Sequence, residues 1–133
     1  MKKYLLLIAS LILTLVIFLY YKQTPKQITP STDFITTLTI DYGNENINTY
    51  EVQVNSTSSA YSILKETLEK ENIYYEVQQY DFGVFVKKIG SLESGAKKSW
   101  IYYVNSVSGD KAADLYILKE GDTVLWKYET PKY

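Results

Sequence analysis

Cysteine, histidine and arginine are all absent from this 133-residue chain, and each absence closes a route to function. Without cysteine there is no disulfide framework, no thiolate metal site and no thiol nucleophile. Without histidine the usual general base at neutral pH and the preferred neutral metal ligand are both missing. Without arginine there is no planar fork to grip a carboxylate or phosphate in two places. Glycine and proline are sparse, at six and three. Fourteen tyrosines, by contrast, suit half-buried strands with one wet face.

Charge is divided along the chain. Residues 1–30 carry Lys2, Lys3, Lys22 and Lys26 and no acid, whereas residues 31–133 carry ten Lys against fifteen Asp and Glu. The larger part is therefore mildly acidic. It shows no basic stripe that could neutralise phosphates, so nucleic acid is not an expected partner.

Residues 4–21, YLLLIASLILTLVIFLYY, hold no charge. At helical rise this run spans about 27 Å, close to the hydrocarbon thickness of a bilayer. Lys2 and Lys3 precede it, Lys22 closes it, and Tyr20 and Tyr21 fall where interfacial rings are favoured. A cleaved signal peptide would have a shorter apolar core ending in small residues. The expectation is an uncleaved signal-anchor over residues 1–21, a single transmembrane helix with a cytoplasmic N-terminus. The rest of the chain would then lie outside the cytoplasm at the cell membrane. Residues 22–32, KQTPKQITPST, read as a proline-containing linker to a domain over 33–133.

Within that domain FITTLTI (34–40) and TYEVQV (49–54) alternate with period two around the turn-rich YGNENIN, which predicts a hairpin. In residues 55–72, Ala60, Ile63, Leu64 and Leu68 recur at helical spacing behind Ser58 and Ser59, either of which can cap the first turn. Strand chemistry returns in 74–90, with Gly83 at a bend or bulge, and in SWIYYVN (99–105). LYILKEGDTVLWKYE (115–129) is expected to form a hairpin turning at Gly121-Asp122. One helix cannot cover two sheet faces. The predicted class is α+β: one mixed sheet with the helix across one face.

The segment from Phe82 to Glu129 resembles the C-terminal domain of transcobalamin and intrinsic factor, a domain that recurs in bacterial surface proteins with no assigned function. The matching pieces are Phe82-Gly83, Ile89-Gly90, Trp100 with Tyr103-Val104-Asn105, the Ala113-to-Tyr116 segment, Gly121-Asp122 and Trp126-Lys127-Tyr128. Ser106 stands where the pattern usually has glycine. The resemblance, over roughly residues 34–129, implies a β-grasp fold. It also implies cobalamin or a related corrinoid as a possible ligand. In the vitamin carriers this domain closes over a ligand held mainly by a large helical domain, for which this chain has no room.

Trp100, Tyr102 and Val104 share one strand face, and Ile101, Tyr103 and Asn105 the other. One face is core by default. Aromatics on the other would mark a ligand or partner site, and the sequence leaves open which face is wet. The expected contact surface is Trp100, Tyr102, Tyr103, Asn105 and Trp126, with rings to stack on a flat ligand and Asn105 to give a directed hydrogen bond. The alternative is a protein-interaction or surface-assembly module that pairs a sheet edge with a partner surface protein.

Other motifs have ordinary explanations. Asp110, Asp114 and Asp122 lack calcium-loop spacing and suit turns, so no metal is expected. Ser62 and Lys65 are three apart on the helix, as unremarkable pairs often are, and Glu66 with Glu69 reads as a polar face. The chain is therefore expected to be non-catalytic. Asn55-Ser56-Thr57 matches a glycosylation acceptor.

Overall fold

Strand β1 (Phe34–Asp41) alternates buried Thr36, Leu38 and Ile40 with more open neighbours, and β2 (Ile47–Val54) lies antiparallel beside it. The turn between them runs through positive φ at Gly43, Asn44 and Glu45, a conformation for which glycine and asparagine are suited. The computed structural model describes residues 11–18 and 33–131. Residues 11–18 are helical and belong to a first unit, Met1–Pro30; the strands belong to a second, Ser31–Tyr133. The remainder of the expected 4–21 span, and all of the 22–32 linker, lie outside the described residues. Among the described residues no helix is long and apolar enough to cross a membrane.

Helix α1 (Ala60–Lys70) starts where its cap residues dictate. The Ser59 hydroxyl accepts the Ser62 N–H at 3.0 Å, and the Ser62 hydroxyl accepts the Ser59 N–H at 2.8 Å. This reciprocal box satisfies donors that the first helical turn cannot pair internally. Ala60, Ile63, Leu64, Thr67 and Leu68 form the buried stripe. Each large aliphatic side chain there contributes about 1.5–3 kcal/mol by leaving water.

The remaining strands are β3 (Tyr75–Tyr80), β4 (Gly83–Ile89), β5 (Leu92–Glu93), β6 (Ser99–Val104), β7 (Val107–Ser108) and β8 (Thr123–Glu129). They form two sheets. The larger has the order β2-β1-β8-β6-β7, with β1 and β8 parallel and the other pairs antiparallel. The smaller is β3-β4-β5, antiparallel throughout. The class is α+β with mixed sheet pairing, but the single sheet expected from sequence is replaced by two. A side chain bridges the two sheets between β4 and β6. The Ser94 hydroxyl donates to the Val86 carbonyl at 2.9 Å and accepts the Trp100 N–H at 3.0 Å.

The expected hairpin over 115–129 is also corrected, because only its second arm is a strand. The first arm turns to the start of α1 instead. The Ala60 N–H donates to the Tyr116 carbonyl at 3.0 Å, and the Leu118 N–H to the Ser58 carbonyl at 2.9 Å. Unpaired N–H groups at the helix start draw this segment away from β8. The two sheets and α1 share one core, which includes Leu38, Ile63, Leu68, Val86, Ile89, Trp100 and Trp126.

Candidate ligand-binding cleft

Trp100, Tyr102 and Val104 of β6 and Val124 and Trp126 of β8 all point to the buried side of the larger sheet. Tyr102 lies opposite Trp126 in the antiparallel register, with ring centroids 5.5 Å apart. Each ring has its polar atom tied down. The Trp126 indole donates to the Ala60 carbonyl at 3.2 Å, the Trp100 indole to the Leu92 carbonyl at 3.1 Å, and the Tyr102 hydroxyl to the Lys111 carbonyl at 2.7 Å. Burial holds the Tyr102 phenol up to about 12, reinforced by the nearby Asp110 charge.

These three rings line a cleft of about 590 Å³. That volume falls within the range of about 300–1,000 Å³ typical of small-molecule sites. One wall is β4 and the turn before it, presenting Phe82, Val84, Phe85 and Val86. The other is the Gly109–Leu115 segment. At the first wall Phe82 is 68 % exposed and Tyr80 45 % exposed, yet their rings stack at 5.0 Å and 7°. Phe85 meets Tyr80 edge-on at 6.5 Å. Leu115, more than half exposed, stands on the second wall. Aromatic rings gathered at the mouth of a concave site, and not scattered singly, mark a surface suited to apolar contact.

The second wall is fixed to the core. Gly109 lies so close to Tyr102 that a Cβ there would overlap the ring. The Tyr61 N–H reaches the Ala113 carbonyl at 3.1 Å, and the Lys111 ammonium sits 5.1 Å from the centre of the Tyr116 ring.

Of the five residues expected at the contact surface, Trp100, Tyr102 and Trp126 meet at this cleft. Tyr103 and Asn105 do not. Tyr103 lies on the opposite sheet face and its hydroxyl donates to Glu129, which pushes the phenol up to about 12. Asn105 adopts positive φ in the β6–β7 turn, donates to Asp122 at 2.8 Å and accepts the Thr123 N–H at 3.0 Å. Phe82, Phe85 and Leu115 of the lining, and Tyr80 stacked behind Phe82, were not among the expected residues. The available signal was Tyr80-Asp81-Phe82-Gly83, a tight turn carrying two large aromatics, where turns usually present small polar residues.

The other motifs resolve into local structure. Ser62 belongs to the capping box, and Lys65 pairs with Glu69 at 4.0 Å. Asp114 accepts the Val84 N–H at 2.9 Å, and Asp122 accepts the Lys119 N–H at 2.9 Å. Among the described residues no group of three or more acidic side chains is placed to hold a metal ion. The Asn55 side-chain oxygen accepts from the Thr57 N–H at 2.9 Å and from its hydroxyl at 2.7 Å, an Asx turn leading into α1.

Two solved structures share this fold. One is a candidate metal-binding protein from Ruminococcus gnavus, 18% identical with a TM-score of 0.58, the match covering 74% of this chain and 98% of that one. The other is haptocorrin in complex with Cbi, 11% identical with a TM-score of 0.68, the match covering 77% of this chain and 26% of that one. This chain thus spans about a quarter of haptocorrin's length. No curated protein sequence matches the chain. A model of the family DUF4430, described as a domain of unknown function, matches residues 57–130, more than half of the sequence, and the protein belongs to that family.

Proposed function

We propose that this protein is a non-catalytic ligand-binding module of β-grasp type, held at the outer face of the cell membrane by residues 4–21. Its ligand is a flat or apolar small molecule, and a corrinoid is the first candidate to try. The observation that carries this reading is the cleft. Two tryptophans and a tyrosine make its floor, and exposed Phe82 and Leu115 stand at its mouth. The fold shared with haptocorrin, a structure solved with Cbi bound, supports the choice of first candidate.

A second reading has its own observation. β3 is the outer strand of the smaller sheet, and from Val77 to Tyr80 it is exposed and carries no charge or proline. Edges of that kind accept an added strand from a partner.

Amide chemical-shift mapping of the full chain in detergent micelles separates the two. Shifts on adding cobinamide that are confined to Phe82–Val86 and Gly109–Leu115 support the cleft. If cobinamide moves no cleft resonance and a partner protein shifts Val77–Tyr80, the edge is the functional surface.

A further inference from the structure

The cleft's two walls are held in different ways. The Gly109–Leu115 wall is anchored to the core through Tyr102, Tyr61 and buried Ala113. The β3–β4 wall is a hairpin held at its root and at mid-strand, where Val86 is buried and its carbonyl accepts the Ser94 hydroxyl at 2.9 Å. Near that root the Trp100 indole holds the Leu92 carbonyl, and the Tyr128 hydroxyl holds the Glu93 carbonyl at 2.8 Å. At the far end, by the cleft mouth, one side-chain hydrogen bond joins the walls among the described residues. It runs from the Val84 N–H to the Asp114 carboxylate at 2.9 Å. Gly83, at φ +126, makes the approach possible, because a Cβ there would overlap both Ala112 and Asp114.

We propose that Asp114 is a positioning residue that latches the hairpin and sets the width of the cleft. The hairpin has few other constraints at its tip. Gln78, Gln79, Tyr80 and Phe82 are all exposed, and β3 has no strand on its outer side. Elements with exposed ladders and little buried contact open at low free-energy cost. Opening at the tip, beyond the buried Val86, widens the cleft mouth without unpacking the core or the larger sheet. The functional meaning rests on the cleft being the ligand site, but the latch itself is read without ligand.

The test is hydrogen exchange on the full chain, wild type against Asp114→Ala and Asp114→Asn. The probes are the amides of Gln78 and Phe85, register partners in the β3–β4 ladder. With the latch removed in Asp114→Ala, these amides exchange about tenfold faster, while those of Leu38 and Val124 in the larger sheet are unchanged. Asp114→Asn retains an oxygen acceptor and stays within about twofold of wild type. Gly83→Ala, which wedges the walls apart from the other side, gives the same local acceleration and serves if Asp114→Ala does not fold. Unchanged exchange at Gln78 and Phe85 in both Asp114→Ala and Gly83→Ala overturns the latch. So does an acceleration shared equally by Leu38 and Val124. A parallel titration with cobinamide reads the function, with binding at least about fivefold weaker in Asp114→Ala than in Asp114→Asn. If wild type binds no cobinamide, the corrinoid reading fails while the exchange result still decides the latch.

Discussion

The indole N–H of Trp126 reaches across from β8 to the carbonyl oxygen of Ala60, the first residue of the helix, at 3.2 Å. The bond is buried and joins residues far apart in sequence. It ties the sheet that floors the cleft to the helix that covers it. Trp126→Phe removes the donor and leaves a space beside Tyr102. The expected cost is about 2–3 kcal/mol, from the lost hydrogen bond and the smaller ring together. Urea unfolding followed by far-ultraviolet circular dichroism measures it. A loss below about 0.5 kcal/mol would show that the contact does not hold helix and sheet together.

The capping box gives an independent stability test. Ser59→Ala takes the acceptor from the Ser62 N–H, in a place nearly closed to water. It should cost about 1 kcal/mol, which for a domain of this size lowers the melting temperature by about 4–8 °C. Ser59→Asp, which restores an acceptor, should recover part of the loss. Equal melting temperatures for Ser59→Ala and wild type would contradict the assignment.

Alkaline pH should expose two of the perturbed phenols, both on β6. Tyr102 is held up to about 12 chiefly by burial, and Tyr103 to about 12 chiefly by the hydrogen bond it gives Glu129. Both lie above the ordinary value of 10.0, so the folded chain favours the neutral ring. The stability they contribute is complete below the unfolded value and is lost as pH rises through about 10 to 12. Denaturant midpoints should fall across that window and fall less steeply in Tyr103→Phe. Identical slopes for the two proteins would remove Tyr103 from the account.

The proposed membrane anchor predicts a fractionation result. The full chain should pellet with membranes and resist carbonate extraction, whereas a chain lacking residues 4–21 should not. Protease added outside intact cells should digest residues 33–133. Protection of that region in intact cells would reverse the proposed orientation.

The sequence made the period-two and period-3.6 elements legible wherever one face was plainly apolar. Leu38 and Ile40, the Ala60–Leu68 stripe and Val124 with Trp126 are buried as their spacing implied. What stayed hidden depended on groups that pair out of sequence. The Ser94 hydroxyl, not a backbone ladder, bridges β4 and β6 where one continuous sheet was expected. Tyr116 completes the helix start and so never pairs with β8. The same limit governs the cleft. Its floor was visible in Trp100, Tyr102 and Trp126 as an aromatic surplus. Its mouth was not, because Phe82 and Leu115 become neighbours of one cavity only when β4 folds back beside the 109–115 segment. Tyr103 follows Tyr102 directly in the chain, yet alternation sends it to the opposite face.

The most direct measurement is a titration of the full chain in detergent with cobinamide and cyanocobalamin, following tryptophan fluorescence. The protein has two tryptophans, and both line the cleft, so a ligand seated there must alter the signal. The account predicts saturable quenching at micromolar ligand in wild type. Phe82→Ala should bind at least about fivefold more weakly with its melting temperature unchanged, since Phe82 is exposed and contributes little to the core. No change in fluorescence up to millimolar ligand would contradict corrinoid binding. Quenching that Phe82→Ala leaves intact would place the ligand outside the cleft.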